Sequence, residues 1–296
     1  MALDIVRTQV GAAEICQIIE LEIGQHLAWL LPDTTPDNIR AIEWLNTPYR
    51  NPDYSLNALS QCFIIKIRGR MLVVDTCIGN DKTVSEISEW DHLSTDFLEA
   101  LERAGIDREQ VTDVLCTHLH IDHVGWNTCL HEGKWLPTFP NAQYHFAREE
   151  YEHWLEEARR EPQAMHSISL SESILPVVQA GLVNLIEAPA DLGDGISILP
   201  TPGHTCSHIA VMIDTGNQQL IIAGDAFHHP CQIARPEWAS IGDHDQLQST
   251  TTREQLLLSC ADTSTLIAGI HFSVPSFGRV VADEDGKYFF KPLPLK

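Results

Sequence analysis

One run of residues constrains this chain more than any other: Thr117-His118-Leu119-His120-Ile121-Asp122-His123-Val124-Gly125. It follows directly on the apolar stretch Val111 to Cys116, which reads as a short strand. Four groups able to bind a metal fall within six positions. His118 and His120 alternate, so in an extended segment both point to the same side. Asp122 and His123 are adjacent, so they diverge and can serve a second ion. Imidazole and carboxylate together suit zinc, iron, manganese or cobalt.

The same arrangement recurs further along. Ile196-Ser197-Ile198-Leu199 leads into Thr201-Pro202-Gly203-His204, Leu220 to Ala223 leads into Gly224-Asp225, and the strand Thr265 to Ala268 ends at Gly269-Ile270-His271. Strands that end in loops bearing His or Asp suit a site built at one edge of stacked sheets. Cys62 to Ile67 and Met71 to Asp75 read as two strands joined by a tight turn at Arg68-Gly69-Arg70, and His208 to Ile213 as another strand. Helices are expected over 94–105, with Gly105 as its stop, over 147–160 and near 252–261. Residues 30–60, rich in Pro, Asn and Asp, are expected to form a long irregular segment or lid. No repeat or low-complexity linker divides the chain, so residues 1–296 are read as a single domain.

The HxHxDH pattern after a strand resembles the metallo-β-lactamase superfamily. Thr201-Pro202-Gly203-His204-Thr205, Ile221-Ile222-Ala223-Gly224-Asp225 and Gly269-Ile270-His271-Phe272 resemble its later ligand segments, in the family's order, and the likeness runs from about residue 60 to 275. The resemblance implies an α/β (α+β) fold, a four-layer αββα sandwich of two mixed sheets with helices outside. It implies that His118, His120 and His204 hold one metal, that Asp122, His123 and His271 hold a second, and that Asp225 bridges the two. Two divalent ions, zinc first and iron, manganese or cobalt as alternatives, are the expected cofactors. Ions about 3.5–4 Å apart share a water and lower its pKa towards neutrality. The resulting bridging hydroxide attacks an electrophilic carbonyl or phosphorus, with Asp122 the candidate to pass a proton to the leaving group.

Within that superfamily the chain is closest in flavour to the N-acyl homoserine lactonase and methyl parathion hydrolase branch, because the first motif follows a long N-terminal part. The implied substrate is a small lactone or other carboxylic ester, N-acyl homoserine lactone among them. A phosphotriesterase or arylesterase, and a mononuclear iron oxygenase resembling the persulfide dioxygenases, are the enzymatic alternatives. A non-catalytic metal binder is the third class. Trp126, Phe272 and the 30–60 segment are candidate walls of an apolar pocket. His228 and His229 are candidates for supporting the ligands or touching substrate, and Tyr144 and Tyr151 are weak candidates for an oxyanion contact.

The net charge of −22 repels polyanions, so nucleic acid is not an expected partner. No apolar run approaches the roughly 20 residues needed to cross a bilayer. The beginning, MALDIVRTQVGAAEICQ, lacks a basic stretch followed by an apolar one, and a cytoplasmic location is expected. Eight scattered cysteines with no CxxC pair are expected to be free thiols. A homodimer is expected from the branch the chain resembles.

Overall fold

The computed structural model describes residues 2–294, and these form two compact units that exchange segments along the chain. The first comprises the residues up to Glu20 together with Ser60–Glu187, and the second Leu21–Leu59 with the residues from Ala188 onward.

The first unit is built on a seven-stranded sheet. Its strands are β1 (Asp4–Val10), β2 (Ala13–Glu22), β3 (Leu59–Ile67), β4 (Arg70–Val74) and β5 (Asp113–Leu115). A separate hairpin of β6 (Thr128–His131) and β7 (Lys134–Pro137) is followed by β8 (Gln143–Ala147) and β9 (Val183–Ile186). The sheet order is β1-β2-β3-β4-β5-β8-β9. The hairpin β3–β4 turns at Arg68 and Gly69, both with positive φ (47° and 83°), as a two-residue turn that matches strand twist requires. From β4 to β9 all pairings are parallel. Strands covered on both faces are buried almost throughout, and β3 and β5 are so, polar residues included. The helix Phe97–Arg103 buries Phe97, Ala100 and Leu101 in the same core as Val73, Val114, Tyr144 and Phe146.

In the second unit β10 (Ala190–Gly193), β11 (Ile196–Pro200), β12 (Ile209–Asp214), β13 (Gln219–Ile222), β14 (Leu266–Ala268), β15 (Phe277–Ala282) and β16 (Tyr288–Pro292) follow each other in order across a second seven-stranded sheet. Among the described residues every pairing in this sheet is antiparallel except β13 with β14. A parallel pair needs a long crossover. Here the crossover contains the helix Gln246–Cys260, and it brings the segments after β13 and β14 out at the same end of the sheet.

The expected fold class holds: two large mixed sheets with helices. The helix near 252–261 begins earlier, at Gln246, because Asp245 caps it by accepting from Leu247 N and Gln248 N at 3.0 Å each. The segment 30–60 is mostly irregular, with one short helix, Pro36–Arg40. It is also tied down: Ala58 bridges Phe272, and Leu59 N donates to His271 O at 3.0 Å. Trp126 and Phe272 are buried in the core. Trp126 is buried, stacks on Phe97 at 4.6 Å and donates to Glu20, while Phe272 is fully buried against Phe290. Among the described residues no helix is long and apolar enough to cross a membrane. All eight cysteines are free thiols.

Candidate metal centre

In the first unit, parallel pairing of β4 with β5 places the residues that follow each strand side by side. Asp75, after β4, is fully buried and accepts from Thr117 N (2.7 Å) and Thr117 Oγ1 (2.8 Å), after β5. Its Oδ2 also lies 2.8 Å from His123 Nδ1. A carboxylate can only accept, so the proton is on His123 Nδ1 and the lone pair on Nε2. Thr117 Oγ1 gives its proton to Asp75 and therefore accepts from His118 Nδ1 at 3.1 Å. That turns the lone pair of His118 onto Nε2 as well, 2.9 Å from His120 Nδ1. The two alternating histidines thus converge, as their spacing predicts. Asp122 and His123 lie on the short helix Ile121–Val124, with His123 buried, Asp122 half-buried, and Nε2 of His123 3.7 Å from Asp122 Oδ1. The close packing of this helix demands Gly125, since a Cβ there would run into the carbonyl of Ile78.

Behind these donors Glu20 is buried and accepts from Ile78 N at 2.8 Å and Trp126 Nε1 at 2.6 Å. Burial raises its carboxyl to about 7. On the outer side the ring of His120 meets Trp154 (5.6 Å) and His166 (5.1 Å), and Glu150 accepts from Trp154 Nε1 and from Leu119 N. None of Asp75, Glu20 and Glu150 was singled out from the sequence. Only the Asp75 position, at the end of a strand facing the histidine run, carried a usable signal.

In the second unit His204, Asp225 and His271 come together around the Asp225 carboxylate. Nε2 of His204 lies 3.4 Å from its Oδ2, and Nε2 of His271 lies 3.1 Å from its Oδ1. Asp225 sits in the tight turn Gly224–Ala226 after β13, where its backbone N–H donates to His208 Nε2 at 3.0 Å. His204 follows Gly203, whose φ of 130° excludes most side chains and whose Cβ would strike the backbone of Ser249. Nδ1 of His204 donates to Asp243 Oδ1 at 2.9 Å, and Nδ1 of His271 donates to Leu59 O at 2.8 Å. Asp243 was missed in the sequence because it lies 39 residues from its partner. Burial opposes its ionisation, but the hydrogen bond from His204 and the guanidinium of Arg253 nearby hold it at about 2.

Tyr144 is fully buried and committed: its hydroxyl donates to Asn127 O and accepts from Phe139 N, each at 3.1 Å. His229 is likewise a structural residue. Its Nε2 donates to Tyr49 O (2.8 Å), its Nδ1 accepts from Cys231 N (3.1 Å), and burial lowers its pKa to about 4. His228 is different. It is 1% exposed, its Nε2 lies 3.3 Å from Asp225 Oδ2, and burial holds its imidazole below the ordinary histidine value.

These donors fit divalent metal. In His204 and His271 the Nδ1 proton is pinned by an oxygen acceptor, so the Nε2 lone pair is what faces the Asp225 carboxylate. His123 presents the same arrangement toward Asp122. Lone pairs directed at a carboxylate repel it unless a cation lies among them, and clustered imidazolium ions would repel one another. Imidazole nitrogens fixed by an acceptor on their far side are the usual form of a metal-binding histidine.

A sequence profile of the metallo-β-lactamase superfamily matches residues 58–263, and the chain belongs to that family. It is 26% identical over 202 residues to the probable metallo-hydrolase Rv2300c of Mycobacterium tuberculosis, a match covering 60% of this chain and 59% of that one. It is 26% identical over 170 residues to an N-acyl homoserine lactonase of a Bacillus species, covering 52% of this chain and 58% of the relative. The chain therefore spans about three fifths of the curated relatives it matches. Among solved structures, the dizinc quorum-quenching lactonase AidC, in complex with the product N-hexnoyl-L-homoserine, superposes with a TM-score of 0.79 at 21% identity, covering 99% of each chain. That likeness shows the fold.

Proposed function

We propose that this protein is a dinuclear metal-dependent hydrolase of lactones or other carboxylic esters, N-acyl homoserine lactones among them. In this reading His118, His120 and His204 would hold one ion, Asp122, His123 and His271 a second, and Asp225 would serve both. Zinc is the favoured metal, because a solved structure of the same fold is described as dizinc. The observation that carries the reading is the Asp225 carboxylate facing two imidazole Nε2 atoms whose Nδ1 protons are already committed. Relatives named as N-acyl homoserine lactonases supply the substrate class.

When bound, two divalent ions supply an acidified water nucleophile and polarise the scissile carbonyl. The chain's own groups then do the remaining work. Asp75, Asp243 and the Leu59 carbonyl fix the tautomers of His123, His204 and His271. Asp122, half-buried beside His123, would take the proton released by the attacking water and pass it to the departing alkoxide oxygen, so that a lactone opens to a single hydroxy acid. The strongly acidic chain, at −22, favours a small neutral substrate over a polyanion.

The test pairs metal content per chain, by plasma mass spectrometry, with turnover on a lactone and ester panel before and after chelation. About two metals per chain and lactone hydrolysis that chelation abolishes and zinc restores are the expected results. One iron per chain with no hydrolysis would overturn the reading. Asp225→Ala is expected to lose at least one ion and most activity.

A further inference from the structure

Lys82 lies in the loop between β4 and the helix Phe97–Arg103, and among the described lysines it alone is buried, 4% exposed. A buried ammonium is costly unless its N–H groups find partners. Here Nζ donates to Thr128 Oγ1 at 2.6 Å and to Glu172 O at 3.3 Å, and it sits over the Trp135 ring, 3.4 Å from its centre. The Thr128 hydroxyl gives its own proton to Glu172 O at 2.6 Å. The Glu172 carboxylate in turn accepts from Thr83 N at 3.0 Å and from Thr83 Oγ1 at 2.9 Å. Lys82 and Thr83 therefore grip Glu172 by both its carbonyl and its carboxylate.

Glu172 is the middle residue of Leu170–Ile174, a turn of π-helix set between the α-helical turns Met165–Ser169 and Leu175–Gln179. Such turns are rare and occur mostly at functional sites. The turn just before it carries His166, whose ring packs on those of His120 (5.1 Å) and Trp154 (4.8 Å). Thr128 follows directly on Gly125–Asn127, the turn that ends the histidine run. One buried cation thus joins the loop after β4, the β6–β7 hairpin and the helix that packs on His120. Near Nζ are the carboxylates of Glu172 and, on its own loop, Asp81, which favour the charged form, and the Cys129 thiol on β6. Burial outweighs them and lowers the lysine to about 7.

We propose that Lys82 is a positioning residue that works as a pH-sensitive latch: its ammonium holds the π-turn at Glu172 and so seats His166 against the ring of His120, and loss of its proton slackens that seat. The neutral amine keeps its stem in place. It gives up the attraction to the Trp135 face and the charge-assisted bonds to Thr128 Oγ1 and Glu172 O. Lys82 acts on the site only through the helix that carries His166. Its effect on turnover rests on the hydrolase reading above.

The experiment uses the zinc-loaded full chain as wild type, Lys82→Met, which has a stem of similar length without charge, and Lys82→Arg, which stays charged at every pH tested. Lactone turnover is followed from pH 6 to pH 9. Each variant is read as a ratio to wild type, which cancels the ionisations common to all three. For Lys82→Met, kcat is expected to be about tenfold below wild type at pH 6, as for a lost ligand-orienting partner, and roughly equal to it by pH 9. For Lys82→Arg, kcat is expected to match wild type at pH 6 and to exceed it about tenfold by pH 9. A packing residue gives ratios that do not change with pH, and that result overturns the proposal whatever the variants do to stability. A second readout is independent of turnover: ¹³Cε1-histidine NMR of the zinc-loaded chains. The resonance absent from His166→Gln is expected to differ between wild type and Lys82→Met at pH 6 and to coincide at pH 9. Coincidence at both pH values overturns the coupling to His166 and the proposal with it. If wild type hydrolyses nothing but the resonance behaves as expected, the hydrolase reading fails while the latch stands. If wild type is active and the ratios are constant, the assignment of Lys82 fails alone.

Discussion

At the scale of single residues, most of the precision lies in groups that no ligand motif contains. Asp75 has φ of 53° and a carboxylate shared between Thr117 and His123. Removing it as Asp75→Ala leaves the His123 tautomer undetermined. Zinc affinity is expected to fall roughly 10–100-fold, read by competition with a chromophoric chelator, the range typical of lost ligand-orienting partners. Unchanged affinity would show that His123 needs no such support. Gly125 is a different kind of constraint, set by backbone contact rather than by chemistry. Gly125→Ala must push Ile78 and Gly79 away from the Ile121–Val124 helix. A loss of about 3 kcal/mol in urea unfolding is expected, in the range of strain and overpacking in a dense core.

At the scale of elements, the three parallel strands β4, β5 and β8 are cross-linked by one polar cluster. Asp113 on β5 accepts from Arg70 Nε (2.7 Å) and Nη2 (2.6 Å) on β4, and lies 2.8 Å from His145 Nε2 on β8. Burial alone would raise the Asp113 carboxyl, but hydrogen bonds from His145 and Arg70 pull it well below the ordinary aspartate value. A depressed folded-state pKa stabilises the fold above the unfolded pKa and is lost as pH falls through the folded one. Asp113→Asn should therefore lower stability by about 3 kcal/mol at pH 7. The gap to wild type should narrow as pH drops below the ordinary aspartate range of about 4. Melting curves from pH 7 to pH 3 check this, and a gap independent of pH would refute the linkage.

At the scale of the whole molecule, metal and charge should both register in the melting temperature. Ions that bind the folded chain and not the unfolded one stabilise it by mass action, by about 2.7 kcal/mol when free zinc is a hundredfold above its dissociation constant. Chelation should lower Tm and zinc should restore it in a concentration-dependent way, measured by scanning calorimetry. A Tm indifferent to zinc would argue against any metal centre of consequence. The net charge of −22 adds self-repulsion, so raising sodium chloride from low to physiological strength should also raise Tm.

What the sequence determined by itself was the local chemistry. The run from His118 to His123, the strand followed by a His or Asp at His204, Asp225 and His271, and the strands feeding them were legible because each is a short-range pattern of period and spacing. The fold class came from the family resemblance that the same motifs carry. The β1–β2 hairpin, the β15–β16 pair and the early start of the Gln246–Cys260 helix were not foreseen, although each rests on residues close in the chain: two short hairpin connections and the Asp245 cap. The site is different. That Asp75 and Asp243 hold His123 and His204, that Tyr144 and His229 are structural, and that Trp126 is core were decided by tertiary structure. A hydrogen bond between residues 39 or 48 positions apart leaves no mark in local spacing. Strand pairing sets the Asp75–His123 bond, by bringing the ends of β4 and β5 to the same edge of a sheet.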